Sequence, residues 1–215
     1  MNRARVFSRL VVRVACVLVA AGLAVAFAGL CIASMATVGA AAAAARTERL
    51  RAVQGFLRRQ LEGALALPME PQSPGQEDVV FEASAERLRL VAPMPGYLSR
   101  GGPHVQTFSL VRGPQGLRLE FQHELLGPEG PLENERPPQV LLDGIAEAAF
   151  AVRGLDELGE PGEWQSQWQD TSRVPRLVRL RLRLLEPRAR WPELLVAPRL
   201  GQAPLPGQDG PGDVR

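Results

Sequence analysis

The feature that most constrains this chain is an uncharged stretch over residues 14–45, which contains no Asp, Glu, Lys, Arg or His. Its first twenty residues are almost wholly apolar, and about twenty apolar residues are enough for a helix to cross the hydrocarbon core of a bilayer. We therefore predict a transmembrane helix over residues 14–45. Its large apolar side chains include Val14, Leu18, Leu23, Phe27, Leu30 and Ile32.

The charges around this stretch predict its orientation. Arg3, Arg5, Arg9 and Arg13 precede it, and basic residues favour the cytoplasmic side of a membrane. Residues 1–13 are then a basic cytoplasmic leader, and everything after residue 45 lies outside the cytoplasm. A cleaved signal peptide is the competing interpretation, with Ala33 to Ala36 as its cleavage region. The uncleaved single-pass anchor fits better, because a signal peptide has only seven to fifteen apolar residues.

The cysteines and the charge restrict the classes of function. Cys16 and Cys31 both lie in the apolar run, and fifteen helical residues separate them by roughly 22 Å, too far for a disulfide. The formal net charge is +2, and every Lys or Arg in the chain is an arginine. We interpret the arginines as evenly spread, solvated charges balanced by 23 acids, and we expect no nucleic-acid partner.

Residues 46–67 have the pattern of an amphipathic helix. Apolar residues recur at spacings of three and four, which places them on one face of a 3.6-residue period. We predict that this face packs the helix on a sheet through Leu50, Val53, Leu57 and Leu61, followed by Ala64. Pro68 ends the helix.

After residue 78 the apolar period changes to two, which predicts strands joined by Gly- and Pro-rich turns. The predicted strands cover residues 79–83, 88–91, 105–112, 117–125, 140–152, 164–169, 178–184 and 191–197. Residues 201–215 are rich in Pro, Gly and Asp and read as a disordered tail. The predicted fold class is α+β: a long N-terminal helix, half in the membrane and half amphipathic, packed on an antiparallel sheet within a domain over residues 46–200.

The sequence provides few groups for catalysis. His104 follows two glycines and a proline in a predicted loop, and His123 has the phase of the dry face of its strand. We find no metal-ligand spacing, nucleophile motif or phosphate loop. We therefore predict that the chain is not an enzyme and holds no cofactor or metal.

Trp164 and Trp168 allow three interpretations. They can seal the edge of a core, bracket a sugar, or anchor a partner protein, because tryptophan is enriched at interface hot spots. The sequence does not choose among them. With Tyr97, the two tryptophans form the candidate partner surface.

Four stretches carry a resemblance to a known family. In order they are residues 48–51 with 56–61, residues 90–98 with Gly101 and Gly102, residues 141–145 with Phe150 and Arg153, and residues 162–164 with Trp168, Val174, Pro175 and the strand at Val178. Their order and spacing across residues 46–200 resemble the J-type minor pseudopilins of type II secretion systems, which belong to the type IV pilin-like superfamily.

The resemblance implies a non-enzymatic role and a fold of pilin type. Such subunits sit in the bacterial inner membrane with the globular domain in the periplasm. They assemble with I-, K- and H-type minor pseudopilins, and with the inner-membrane secretion platform, at the tip of a pseudopilus that exports folded proteins across the outer membrane. Prepilin peptidase is a further implied partner.

The N-terminus departs from the family pattern of a glycine followed by Phe-Thr-Leu, one variable residue and Glu. Here Val6 precedes Phe7, Arg9 interrupts the motif, and Val11 stands at the position of the Glu. Cleavage by the peptidase is therefore left open.

The first alternative function is a membrane-anchored periplasmic ligand- or carbohydrate-binding module using Trp164 and Trp168, and the second is a hydrolase.

Overall fold

The computed structural model describes residues 41–73, 75–94, 102–132, 136–156 and 158–199. Residues 41–62 are helical and form α1. No helix among the described residues is long and apolar enough to span a membrane. Residues 14–40 of the predicted transmembrane segment lie outside the described residues. The predicted leader and the predicted tail lie outside them as well. The chain divides into two compact units, Met1–Arg49 and Leu50–Arg215.

The second unit contains an antiparallel sheet with the order β1-β2-β3-β4-β6-β7-β8, and β5 pairs with β4. The strands are β1 (Phe81–Ala83), β2 (Arg87–Pro93), β3 (Pro103–Gly113), β4 (Gly116–Gly127), β5 (Gly130–Pro131), β6 (Gln139–Arg153), β7 (Leu177–Leu184) and β8 (Leu194–Val196). Within the described residues, the α+β architecture of one helix and one antiparallel sheet is confirmed. The membrane half of the predicted helix lies outside them.

The main core lies between α1 and one face of the sheet. The helix contributes its apolar stripe, and the strands contribute alternate residues, because successive side chains of a strand point to opposite faces. Phe81, Phe108, Phe150, Leu119 and Ile145 are among its fully buried members.

A second, smaller cluster lies apart from the main core. Met69, Val91 and Val105 form it, with Leu65 and Val79 packed against them. Leu65 forms an antiparallel bridge with Val91, so the segment after the helix continues beside β2.

The two edges of the sheet are covered by other parts of the chain. Beside β8, the Arg58 guanidinium donates to the Leu195 carbonyl at 3.1 Å, so the helix lies along this edge. Beside β1, the Trp168 amide donates to the Ala83 carbonyl and the Phe81 amide donates to Thr171. Covering an edge strand removes a template for pairing with another chain.

Three predictions of local structure are wrong. The helix ends at Glu62 and not at Leu67, because Leu65 forms a bridge with Val91 of β2. His104 lies within β3 and not in a loop, because β3 begins at Pro103, where it pairs with Pro93 of β2. Residues 164–169 do not form a strand, since Gln165 makes only an isolated bridge with Val152. The segment turns away at Trp168, whose amide pairs with β1.

Candidate functional site

The predicted packing face of α1 lies in the main core. Leu50, Val53, Leu57 and Leu61 are all buried, with Leu57 only 1% exposed. Phe56 extends this contact sideways, because its ring packs edge-on against Phe108 at 6.3 Å and Phe121 at 5.0 Å between centroids. Burying one large aliphatic side chain contributes about 1.5–3 kcal/mol, so the four residues together stabilise the helix on the sheet by several kcal/mol.

A polar contact lies inside this otherwise apolar interface. Gln106 Nε2 of β3 donates to Gln60 Oε1 of α1 at 2.8 Å, and both side chains are buried. The same amide nitrogen also lies 3.4 Å from the Ala92 carbonyl and 3.3 Å from the Met94 sulfur. The Gln106 Oε1 atom has no hydrogen-bond partner. The pair therefore joins helix to sheet at one specific position.

The two histidines meet beside this pair. His104 and His123 are buried, and their rings pack edge-on with 5.4 Å between centroids. His123 also stacks on Phe121 at 5.6 Å. Burial lowers the pKa of His123 below its ordinary value, and the neighbouring His104 lowers it further. Burial therefore favours the neutral form of the His123 imidazole.

The ring of Trp164 lies against arginines on β6 and β7. The Arg179 guanidinium carbon is 4.1 Å from the ring centroid, and that of Arg153 is 5.7 Å away. Trp164 is half-buried, and cation–π contacts at such partly exposed sites contribute about 0.5–1 kcal/mol or more.

Trp168 has a different environment from that of Trp164. It is half-buried and packs against the main core, and its indole N–H donates to the Arg173 carbonyl at 2.8 Å. A Cβ added at Gly154 would lie 2.7 Å from its ring. The Trp168 side chain therefore packs at the edge of the main core.

Tyr97, the third residue of the predicted partner surface, lies outside the described residues. The six named side chains of the membrane segment do so as well: Val14, Leu18, Leu23, Phe27, Leu30 and Ile32. The described residues include no group of three or more His, Cys, Asp or Glu side chains arranged to hold a metal ion.

The charges are segregated in this molecule, which contradicts the interpretation of evenly spread arginines. Residues 50–62 and 173–199 carry eleven arginines and three acids, whereas residues 63–172 carry seven arginines and 17 acids. The two basic segments are neighbours in space, since Arg58 contacts Leu195 and Arg199 pairs with Glu62. Counting charges by segment would have revealed the asymmetry, because the total of +2 conceals it.

The sequence reasoning also missed Gln60 and Gln106. Their positions in the apolar pattern were the signal that could have identified them. Gln106 is on the same face of β3 as the buried Phe108, and Gln60 lies next to Leu61 on the packing side of α1. A polar residue in a dry phase predicts a buried hydrogen bond, because leaving it unpaired costs about 1–3 kcal/mol.

These observations first define a class: an α+β domain in which one helix packs by an apolar stripe on an antiparallel sheet, with no assembled catalytic group among the described residues. No family model matches the sequence. A curated relative, "Type II secretion system protein J" of Xanthomonas campestris pv. campestris, is 37% identical over 198 residues, which cover 91% of this chain and 93% of the relative. A chain in the crystal structure of the GspK-GspI-GspJ complex of enterotoxigenic Escherichia coli matches with a TM-score of 0.45 and 18% identity, over 69% of this chain and 93% of that chain.

The chain belongs to the family of type II secretion system protein J. Its role is that of a minor pseudopilin of a type II secretion system.

Proposed function

We propose that this chain acts by assembly and not by catalysis, as a minor pseudopilin at the tip of a periplasmic pseudopilus. The observation that carries the proposal is the relationship to protein J, since the identity of 37% extends over 91% of the chain. The partners are the I-, K- and H-type minor pseudopilins and the inner-membrane secretion platform. The buried helix stripe supports this role, because it fixes the helix on a domain whose outer surface remains available.

In this proposal, residues 14–45 hold the chain in the inner membrane as a single span, with the N-terminus in the cytoplasm. The domain over residues 46–200 is periplasmic. The apolar run and the four arginines before it support this topology. Whether prepilin peptidase removes the leader is decided by sequencing the N-terminus of the protein from membranes, where a start at Phe7 indicates processing.

The exposed side of α1 is the surface proposed for the neighbouring subunits. Arg51, Ala52, Arg58 and Arg59 are exposed, whereas the opposite stripe is buried. A helix with one buried face and one exposed face can contact a second helix without disturbing the fold.

The test is a clean chromosomal deletion in a strain that has no paralogue. We expect the deletion to stop the appearance of exported proteins in the medium, and the wild-type chain to restore it. A complementing variant with Leu23→Arg interrupts the apolar run, because a central arginine costs about 2.5–3.5 kcal/mol on insertion scales. It should restore secretion less well. Normal secretion in the deletion strain would refute the proposed function.

A further inference from the structure

Within the described residues, one end of the domain carries arginines that form no ion pair. The position of this end of the domain can be derived from β8, which runs beside α1 in the same direction. Gln54 Nε2 donates to the Pro192 carbonyl, the Arg58 guanidinium to the Leu195 carbonyl, and the Arg199 amide to the Glu62 carbonyl. The β7–β8 loop, residues 185–193, therefore lies toward Leu50 of α1.

The β3–β4 turn meets this loop. A Cβ added at Gly116 would lie 3.1 Å from the Leu185 Cδ1 atom, and the Leu185 amide donates to the Gly144 carbonyl at 2.9 Å. The turn, the irregular part of β6 near Gly144 and the β7–β8 loop thus form one surface. We call it the basal face, and its side chains are those of Arg112, Leu185, Arg188, Arg190 and Trp191.

The β7–β8 loop is built to present its arginines outward. Ala189 and Trp191 pack against the main core, and the Ala189 amide donates to the Glu186 carbonyl at 3.1 Å. Arg188 and Arg190 alternate with these anchors and are exposed. Leu185, at the start of the loop, leaves 53% of its surface in solvent.

The arginines of the basal face differ from their neighbours in having no ion pair. Within the described residues, Arg112, Arg188 and Arg190 contact no carboxylate, whereas Arg181 pairs with Glu193 at 2.5 Å and Arg183 with Glu147 at 2.6 Å. Asp143 and Glu186 also lie on the basal face and are exposed. The three arginines complement a surface with fixed negative charge, and the exposed leucine between them complements an apolar layer beneath it.

We propose that the basal face binds the anionic phospholipid head groups of the membrane in which the chain is anchored. Arg112, Arg188 and Arg190 contact the phosphates, and Leu185 lies at the level of the glycerol backbones. This inference rests on the proposed membrane segment. That segment ends at residue 45, five residues before Leu50.

Two arguments favour a lipid surface as the binding partner of the basal face: the membrane segment is close in sequence, and the side chains have suitable chemistry. One basic residue near an anionic membrane raises the binding constant about five-fold, and two arginines together raise it about 30-fold. An exposed leucine beside arginines also suits the boundary between head groups and acyl chains.

The experiment measures amide hydrogen exchange of the full chain in nanodiscs of phosphatidylcholine alone or mixed with phosphatidylglycerol. We expect exchange in residues 185–191 to slow when the anionic lipid is present, by up to about 30-fold. Arg188→Gln/Arg190→Gln should abolish this slowing, and so should high salt. The control is Arg173→Gln/Arg176→Gln, which removes two exposed arginines at the other end of β7 and should leave the slowing intact.

Equal exchange in the two lipids would overturn the proposal, and so would equal slowing in the double variant. Protection that arises only when other minor pseudopilins are added would assign the basal face to a protein partner and would also overturn it. Resistance to alkaline carbonate extraction, measured on the same samples, separates this result from failure of the anchor. An extracted chain refutes the membrane segment, whereas an integral chain without lipid-dependent protection refutes only the basal face.

Discussion

The hydrogen bond between Gln60 and Gln106 permits a quantitative test of how α1 is held on the sheet. Gln106 Nε2 donates to Gln60 Oε1 at 2.8 Å, and the two side chains are 0% and 3% exposed. Methionine is unbranched and similar in length to glutamine, so substitution removes the amide with little change of volume. Replacing one partner leaves the other amide buried without its hydrogen bond.

The expected cost follows from that unpaired group. Leaving a buried polar group unsatisfied costs about 1–3 kcal/mol, whereas replacing both partners by apolar groups of similar shape can be nearly neutral. Gln106→Met removes one oxygen that already lacks a partner, which moderates its cost to about 1–2 kcal/mol. Gln60→Met leaves Gln106 with longer contacts to Ala92 and Met94, so we expect a similar loss.

The double variant decides between a specific pair and two independent packing effects. We expect Gln60→Met/Gln106→Met to lose less stability than the sum of the single variants, with a coupling of about 1–3 kcal/mol. The assay is denaturant and thermal unfolding of the full chain in detergent, followed by tryptophan fluorescence. A loss of 1 kcal/mol lowers the Tm by about 2–4 °C for a chain of this size.

Gln167→Met is the matched control, because this glutamine is exposed in a loop and the same change should alter stability by about 0.5 kcal/mol or less. Additive effects of the two core substitutions, or single variants as stable as the wild type, would refute the reasoning.

Two further predictions concern a turn and a titration. Gly116 has φ +87 and leaves only 2.5 Å between an added Cβ and the Ile145 carbonyl oxygen, whereas Gly75 has φ +94 with open space around it. Gly116→Ala should therefore lose at least about 2 kcal/mol more stability than Gly75→Ala, and equal losses in unfolding assays would contradict the close contact.

The pKa of His123 is lowered by burial and by His104, so the folded protein binds this proton less readily than the unfolded chain. Stability should fall as the pH drops below about 6.5, the ordinary value, and this loss should level off below the folded-state pKa. His123→Gln should flatten the profile, and an unchanged profile would assign the dependence to another group.

The parts of the fold that could be predicted are those governed by a local period. Leu57 and Leu61 repeat with the helix, and Val178 and Leu180 alternate along β7, so each pattern reports the face that is buried. The structure places all four in the main core. Local periods survive in the fold because the face that an element buries is determined by its own residues.

The predictions that failed concern segments whose structure depends on contacts with distant parts of the chain. Gln165 and Trp168 have the composition of a strand, yet their backbone partners are Val152 and Ala83, which no local pattern indicates. The bond from Gln106 to Gln60 joins residues 46 positions apart. The basal face is likewise built from three separate segments, and only the fold shows that the loop with Arg188 and Arg190 lies toward Leu50.

The central claim, that this chain works by assembling with other minor pseudopilins, is tested most directly by photo-cross-linking in living cells. A benzoylphenylalanine at Ala52 places the probe on the exposed side of α1, away from the buried stripe. We predict an adduct with an I-, K- or H-type subunit in secreting cells and its loss in a strain that lacks that subunit. A secretion-competent Ala52 variant that forms no adduct with any of these subunits would contradict the account.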